Sequence, residues 1–190
     1  MLAGALAGLA AATAAQAADP HNPYYRYQQV QDLADHPLPL VATFTKGDEV
    51  LVFAAGKHKA TLGAVRQKAL EAVFKSARPA AVIVDGFPTA ATQIPPQFLA
   101  DKTSEASYVA NLAIARHLPV IGGEPSDAEM RGDAGASNAE VAAIMRDRHI
   151  YNTILQALMS RKRILVVYGG EHWKTLSQPL GTALGLPSFQ

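Results

Sequence analysis

Short, continuously apolar runs alternate along the chain with longer segments whose apolar residues recur at helical spacing. The runs Pro79–Phe87, Pro119–Pro125 and Arg163–Gly170 are typical of strands buried on both faces of a sheet. The segments between and around them, by contrast, predict amphipathic helices. These helical segments are Ala60–Ala77, Ser104–Leu118 and Ser137–Ser160.

A different pattern precedes the first of these helices. Two runs rich in β-branched and aromatic residues flank the turn signal Lys46-Gly47-Asp48 within Leu40–Gly56. They predict either a hairpin or an edge strand that leads into a central strand. Strands that then alternate with helices predict an α/β domain with right-handed crossovers, a mostly parallel central sheet and helices on both faces.

Three local signals predict where the later elements begin and end. Ser137 and Glu140 have the spacing of a capping box, which marks the start of the long helix. The polar stretch Gly122–Ser137 is expected to be a long loop. A last helix is expected around Trp173–Leu184, and Pro179 should interrupt it or delay its start.

The first residues of the chain predict export. The stretch "MLAGALAGLAAATAAQAADP" is apolar and rich in alanine, and Ala15-Gln16-Ala17 has the small-x-small pattern of a signal-peptidase site. A short membrane anchor is the rival interpretation, but the segment is only weakly apolar for a bilayer span. We therefore expect a signal peptide over 1–18, an irregular arm over 19–37 and one α/β domain over 38–190. The mature protein would be periplasmic or secreted, with no stable membrane anchor after cleavage.

Composition and missing motifs exclude several classes of function. The chain has 17 Lys and Arg against 16 Asp and Glu, without a basic stripe interleaved with aromatic residues, so no nucleic-acid partner is expected. It has no cysteine, which rules out thiolate nucleophiles, disulfides and Cys-based metal sites. A Gly-x-Ser-x-Gly elbow, a phosphate loop and a dinucleotide glycine fingerprint are also missing, which disfavours the common serine hydrolases and nucleotide enzymes.

Polar residues with catalytic potential follow each predicted strand. His58 comes after the first strand, Asp85 after the second, Glu124 after the third, and Glu171 with His172 after the fourth. Taken alone, each is most simply a turn or loop residue. Because the carboxyl ends of parallel strands share one edge of the sheet, however, these side chains can converge on one site.

This set of side chains suits two kinds of chemistry. Imidazole and carboxylate groups can bind a divalent metal ion, with His58, Asp85 and His172 as the candidate ligands. They can also act as general acids and bases in hydrolysis, with His58, Glu124, Glu171 and His172 as the catalytic candidates. Arg146 lies on the long helix, either as part of a solvated face or as the group that holds an anionic part of the substrate.

Two segments resemble a known group of proteins. The stretches "PLPLVATFTKGDEVLVFAAGKH" and "ILVVYGGEHW" resemble the TraB/PrgY/GumN/Tiki group, in which Gly-x-x-His motifs follow two strands. "MRDRHIYNTI" is similar to an Arg-Asp helix pattern of the related erythromycin-esterase-like and ChaN-like proteins. His172 keeps its motif intact, whereas the glycine before His58 is displaced by one position, and Asp85 stands where the group usually has glutamate.

The resemblance implies an α/β fold with a site at the strand ends and leaves three functions open. Tiki-like relatives imply a metal-dependent hydrolase acting on a small molecule or a peptide. ChaN-like relatives imply a periplasmic protein that binds haem or a metal, for which Tyr24, Tyr25 and Tyr27 are added candidate ligands. The departures from the motif are consistent with a third possibility, a catalytically degenerate member of the group.

Overall fold

Strands and helices alternate through most of the chain, as the sequence predicts. The computed structural model describes residues 39–56, 62–132 and 139–189. Its strands are β1 Leu40–Lys46, β2 Glu49–Gly56, β3 Ala81–Pro88, β4 Val120–Glu124, β5 Arg163–Gly169 and β6 Ser188–Phe189. Its helices are α1 Ala64–Ala77, α2 Pro96–Ala100, α3 Glu105–Ile114, α4 Asp127–Gly132, α5 Ala139–Arg161 and α6 Gly170–Leu184.

The strands form one mixed sheet in the order β4-β3-β5-β2-β1-β6. Strands β2, β3, β4 and β5 run parallel to their neighbours in that set, and β1 pairs antiparallel with both β2 and β6. The predicted α/β domain with a mostly parallel sheet is therefore confirmed. Of the two interpretations of Leu40–Gly56, the structure has the hairpin, and Gly47 takes the positive φ of 61° that its turn requires.

The last long strand, β5, lies between two strands that precede it in the chain. It pairs with β2 on one side and β3 on the other, and its final residue, Gly169, is level with Gly56 at the end of β2. The carboxyl ends of β2, β3, β4 and β5 therefore lie along the same edge of the sheet.

Helices α1 and α3 pack together against the sheet. Their buried residues recur every three or four positions, so each helix turns one apolar stripe inward. The cluster that they form with the strands includes Leu70, Phe74, Val109, Ala113, Val52, Val82, Val84, Leu165 and Val167.

A second set of buried side chains surrounds Trp173 of α6. Its ring lies 5.3 Å from the ring of Phe53, 6.1 Å from that of Phe44 and 6.1 Å from that of Phe189. Helix α5 adds a buried stripe of its own, formed by Ile150, Ile154 and Leu158. This packing fixes where α5 and α6 lie relative to the sheet.

The prediction that Pro179 would interrupt or delay the last helix is wrong. Helix α6 begins at Gly170, earlier than expected, and continues through Pro179 to Leu184. Proline removes one backbone donor, but the helix buries Trp173, Leu176 and Leu180 on one face. Tertiary packing of an apolar face of this kind outweighs local helix propensity.

The prediction of a long loop over Gly122–Ser137 is wrong in part, because the stretch begins in β4 and contains α4. Ser126 and Glu129 form a capping box at its start. The Ser126 backbone N–H and hydroxyl both donate to Glu129 Oε2 at 2.7 Å, and the Glu129 N–H donates to Ser126 Oγ at 3.2 Å. The capping box predicted at Ser137 lies outside the described residues.

The predictions for the start of the chain also lie outside the described residues. They concern the signal peptide over 1–18, the arm over 19–37 and the tyrosines of that arm, and they remain predictions. Of the helices that the structure describes, none combines the length and the apolar character needed to cross a membrane.

Candidate functional site

Strand β5 passes directly into helix α6 at the two glycines of "YGGEHW". Gly169 is the N-cap residue and Gly170 the first helical residue, so no loop separates strand from helix. Glu171 and His172 consequently lie in the first turn of α6. Glu171 is exposed, whereas only 12% of the His172 side chain is exposed.

His172 is bound to an aspartate of helix α5. Its Nδ1 atom lies 2.5 Å from Oδ1 of Asp147, and the Thr175 hydroxyl donates to Oδ2 of the same carboxylate at 2.5 Å. A carboxylate can only accept, so Nδ1 carries the proton of this hydrogen bond. In the neutral ring the lone pair then resides on Nε2, which is the tautomer that a general base requires.

Opposing effects act on the pKa of His172. Burial lowers it, while the hydrogen bond that His172 donates to Asp147, the charge of Asp147 and the charges of Glu171 and Glu124 raise it. The net direction is upward, because together the carboxylates outweigh the loss of solvation. The imidazolium form is therefore stabilised relative to that of a free histidine.

Tyr168, on β5, connects His172 to the end of β4, which lies beyond β3 in the sheet. Its ring packs edge-on against the His172 ring at 4.8 Å, and its hydroxyl donates to Glu124 Oε1 at 2.6 Å. Burial, followed by the charge of Glu124, raises the pKa of Tyr168 far above its usual range, so the phenol stays protonated. Gly123 makes room for it, since a Cβ there would lie 2.7 Å from Cε2 of Tyr168.

Glu124 also faces the arginine that the sequence singles out. Nε of Arg146 lies 3.7 Å from Oε2 of Glu124, and about half of the Arg146 side chain, 51%, is exposed. An ion pair this long and this exposed is weak. The Arg146 guanidinium is thus close to Glu124 without being tightly held, which leaves it available to a second anion.

A hydrogen-bond chain holds helix α5 over this edge of the sheet. The Thr89 hydroxyl, just beyond β3, donates to the Gly122 carbonyl at 2.6 Å and accepts from Nε2 of His149 at 2.8 Å. His149 follows Arg146 and Asp147 by less than one helical turn. The contact therefore helps to place both of those residues next to the strand ends.

A buried ion pair lies on the other side of Tyr168. Nε of Arg66 is 2.8 Å from Oε1 of Glu105, and both side chains are less than a tenth exposed. Glu105 reaches over the end of β2, where a Cβ on Gly56 would lie 1.5 Å from its Oε2 atom. Its place in the first turn of α3 suits a carboxylate, because the N-terminal end of a helix carries partial positive charge.

Asp85 and Glu105 line a small cavity together. The cavity has a volume of ≈ 20 Å³, and Gly56, Tyr168 and Gly169 also contribute to its wall. That is enough space for a water molecule or a small ion. Asp85 is itself buried, at 8% exposure, and its charge is among the causes that raise the pKa of Tyr168.

The structure thus brings most of the described candidates towards one edge of the sheet. Glu124 and Arg146 are neighbours, Tyr168 connects Glu124 with His172, and Asp85 lines the adjacent cavity. Exposed Glu171 contributes by its charge on His172. His58 lies outside the described residues, so its role remains a prediction.

Three residues of the site were missed in the sequence, namely Asp147, Tyr168 and Glu105. Asp147 lies between Arg146 and Arg148, in a charged cluster whose sequence is typical of a solvated helix face or of helical ion pairs. Tyr168 looks like the last residue of a buried strand, and Glu105 like an ordinary first-turn carboxylate. The Arg-Asp pair in "MRDRHIYNTI" was the one signal that pointed to Asp147.

The described residues do not form a metal site by themselves. Within 39–56, 62–132 and 139–189, no three His, Asp or Glu side chains are grouped closely enough to hold an ion. One of the three predicted ligands, His58, lies outside those ranges. Metal binding through His58, Asp85 and His172 therefore remains a prediction, as does haem binding.

Comparison of the chain with models of known protein families, with curated proteins and with solved structures finds no significant match.

Proposed function

We propose that this protein is a hydrolase in which His172 is the general base and Asp147 orients it. The observation that carries the proposal is the hydrogen bond between His172 Nδ1 and Asp147 Oδ1. It selects the tautomer with a basic Nε2 and stabilises the imidazolium that forms when Nε2 accepts a proton. A buried carboxylate performs these two tasks for the histidine of a catalytic triad.

In the proposed reaction, His172 activates water for attack on an acyl carbon. Nε2 accepts a proton from the water as the water oxygen bonds to that carbon. The imidazolium then returns the proton to the leaving oxygen or nitrogen as its bond to the carbon breaks. The products are a carboxylic acid and an alcohol or amine, and His172 is again neutral.

Arg146 is the proposed substrate-binding group. Its guanidinium is half exposed and only loosely paired with Glu124, so it can turn to an anionic group of a small molecule or peptide. Glu124 keeps Arg146 near the strand ends and is itself held by the Tyr168 hydroxyl. The substrate would therefore carry a negative charge close to the bond that is cleaved.

The proposal places the site at the carboxyl edge of a sheet that helices cover on both faces. The cluster of α1 and α3 and the cluster around Trp173 support such an arrangement, because they use different residues of the same strands. Ligands of open parallel sheets bind at this edge. Asp85 and Glu105, in the adjacent cavity, would form one wall of the site.

The steps above use only side chains that the structure describes, and metal dependence is not built into them. Whether activity depends on a metal ion is tested by chelation. If His58 completes a site with Asp85 and His172, activity will be lost on dialysis against a chelator and restored by a divalent cation. Activity that survives chelation would support the acid-base mechanism as written.

The test is hydrolysis of a panel of p-nitrophenyl esters and peptide p-nitroanilides by purified protein. His172→Gln is expected to lower kcat by about 10²–10⁴-fold, the usual range for loss of a general base. His117→Asn is the matched control, since His117 is exposed at a helix end and asparagine tolerates its φ of 55°. If wild type hydrolyses no substrate faster than His172→Gln, the proposal is wrong.

We also propose export, based on the leader sequence alone. Expression of the full chain in a Gram-negative host should yield a shortened protein in the periplasmic fraction. Its N-terminal residue should be Ala18 or Asp19, following cleavage after Ala17 or Ala18. A protein that keeps its first residues and stays in the cytoplasmic fraction would contradict export.

A further inference from the structure

A groove of ≈ 680 Å³ lies between the last turns of α1 and α3. These helix ends lead into the first residues of β3 and β4, so the groove is at the amino edge of the sheet, away from His172. Ligand pockets in proteins typically have volumes of about 300–1,000 Å³. The groove therefore has the size of a site for a small organic molecule.

Apolar side chains and cations dominate the lining of this groove. Phe74, Leu112 and Leu118 supply apolar surface, and Phe74 is itself 96% buried, with 4% exposed. The exposed side chains of Lys75, Arg78 and Arg116 supply positive charge. We call these six residues the basic groove.

The positive charge of the basic groove is only slightly compensated. Glu71 is the acidic residue in its lining, and its carboxylate accepts a hydrogen bond from the Tyr108 hydroxyl. None of the ion pairs among the described residues includes Lys75, Arg78 or Arg116. A neighbouring groove of ≈ 780 Å³ shares Lys75 and Arg78 and adds Arg163, a further cation.

Local contacts fix the guanidinium of Arg116 and the backbone of Arg78. The Arg116 guanidinium lies 5.0 Å from the centre of the Phe74 ring and donates to the Leu112 carbonyl at 3.0 Å. Arg78 is the C-cap of α1, with a φ of 46°, and its N–H donates to the Phe74 carbonyl. A side chain that is placed as Arg116 is loses little conformational entropy when an anion binds nearby.

We propose that the basic groove binds a small aromatic anion, such as an aromatic sulfonate or carboxylate. The aromatic part would contact Phe74, Leu112 and Leu118, and the anionic group would be bound by Lys75 and Arg78. Both parts contribute, because exposed cations hold a free anion only weakly in water and the aromatic part adds apolar contact. This site is separate from His172 and does not depend on the proposed hydrolysis.

The probe pair is 8-anilinonaphthalene-1-sulfonate and N-phenyl-1-naphthylamine, which share a ring system but differ in the sulfonate. Both are titrated into the folded protein and followed by their fluorescence. The double variant Lys75→Gln/Arg78→Gln should bind the sulfonate at least about tenfold more weakly than wild type and bind the neutral amine equally well. Added salt should weaken binding of the sulfonate alone.

Two further variants distinguish binding at this site from nonspecific attraction to positive charge and from the effects of misfolding. Lys68→Gln/Lys102→Gln removes the same charge from exposed residues outside the groove and should leave sulfonate affinity unchanged. Glu71→Gln removes the one acidic side chain of the lining and should tighten binding of the sulfonate but not of the neutral amine. A loosened fold would instead expose apolar surface and bind both probes more strongly. Thermal melts followed by circular dichroism establish that each variant is folded.

The proposal is overturned by any of three results. The first is sulfonate binding to Lys75→Gln/Arg78→Gln that equals binding to wild type. The second is an equal loss of binding in Lys68→Gln/Lys102→Gln, and the third is a wild type that binds neither probe. Hydrolysis by wild type and its loss in His172→Gln are measured separately, so the two proposals stand or fall independently.

Discussion

His172 Nδ1 and Asp147 Oδ1 lie 2.5 Å apart, although 25 positions separate the two residues in the chain. The contact joins the first turn of α6 to the middle of α5. Thr175, one turn further along α6, binds the other oxygen of the same carboxylate. One aspartate thereby fixes both the tautomer of His172 and the approach of the two helices.

The raised pKa of His172 predicts how its contribution to stability depends on pH. Folding favours the protonated ring, so the contribution is fully present below the unfolded pKa of about 6.5 and is lost as pH rises through the higher folded pKa. The free energy of unfolding of wild type relative to His172→Gln should therefore fall as pH rises above about 6.5. Urea denaturation at a series of pH values measures it, and an advantage that grows with pH would contradict the assignment.

Asp147→Asn tests whether Asp147 acts through His172. An amide can donate a hydrogen bond to Nδ1 and thereby select the wrong tautomer, and it cannot stabilise the imidazolium by charge. We expect kcat to fall and the pKa of His172, followed by NMR of its ring protons, to decrease. The matched variant Asp127→Asn changes an aspartate of α4 and should leave the His172 titration unchanged. If His172 titrates in Asp147→Asn as it does in wild type, Asp147 has no part in the proposed mechanism.

Replacing Tyr168 by phenylalanine should destabilise the fold. The ring would be kept, but Glu124 would lose its hydrogen-bond donor in a largely buried environment. Loss of a hydrogen bond to a charged group costs about 1.5–3 kcal/mol in unfolding free energy. Tyr151→Phe, at a half-buried tyrosine of α5, is the control and should change stability by less than about 0.5 kcal/mol. Equal effects of the two variants would mean that the Tyr168–Glu124 bond contributes little.

Gly56 and Glu105 should show a strong energetic coupling. Alanine at position 56 would place its Cβ on the Glu105 carboxylate, so Gly56→Ala should be severely destabilising. Glu105→Ala is also costly, by about 3–5 kcal/mol, because it leaves Arg66 buried without this partner. In the Glu105→Ala background, however, Gly56→Ala should cost far less, because the obstruction is gone. A double-mutant cycle in chemical denaturation measures the coupling, and additive effects would contradict the observed close approach.

Pro179→Ala should stabilise the protein. Pro179 is exposed and lies inside α6, where proline is less favourable than alanine by about 3 kcal/mol in an unconstrained helix. Because the wild-type helix already accommodates it, we expect a gain of about 1–2 kcal/mol in unfolding free energy. Gln178→Ala, at the exposed neighbouring position, should change stability little. A destabilised Pro179→Ala would mean that the packing of α6 depends on the shape that proline gives it.

Much of the fold could be predicted from local pattern. An apolar run as distinct as Arg163–Gly169 indicates a buried strand. The turn signal at Gly47 in the same way indicates a hairpin between the two strands that flank it. The sequence does not determine that β5 inserts between β2 and β3, because strand order depends on which helices cover which part of the sheet. The course of α6 through Pro179 was missed for a related reason, since its buried face outweighs the local preference of one residue.

Most site residues could be predicted from the sequence only where a polar residue with catalytic potential directly follows a predicted strand. Glu124, Asp85 and His172 were identified by that rule, and Arg146 by its place on the long helix. Asp147 was missed because its partner is 25 positions away, and the contact exists only once α5 and α6 have packed. Tyr168 was missed because a tyrosine that ends a buried strand resembles any other core residue until its hydroxyl is seen on Glu124.

Trp173 directly follows His172 in the chain, and it is the only tryptophan of the 190 residues. His172 belongs to the candidate site, while Trp173 is 99% buried, with 1% exposed, among the rings of Phe44, Phe53 and Phe189. The protein therefore contains a single tryptophan fluorophore, directly next in the chain to its proposed catalytic base. A substrate that shifts the first turn of α6 would change the intrinsic ultraviolet emission of the chain, so unlabelled compounds can be screened for binding before any reaction is known.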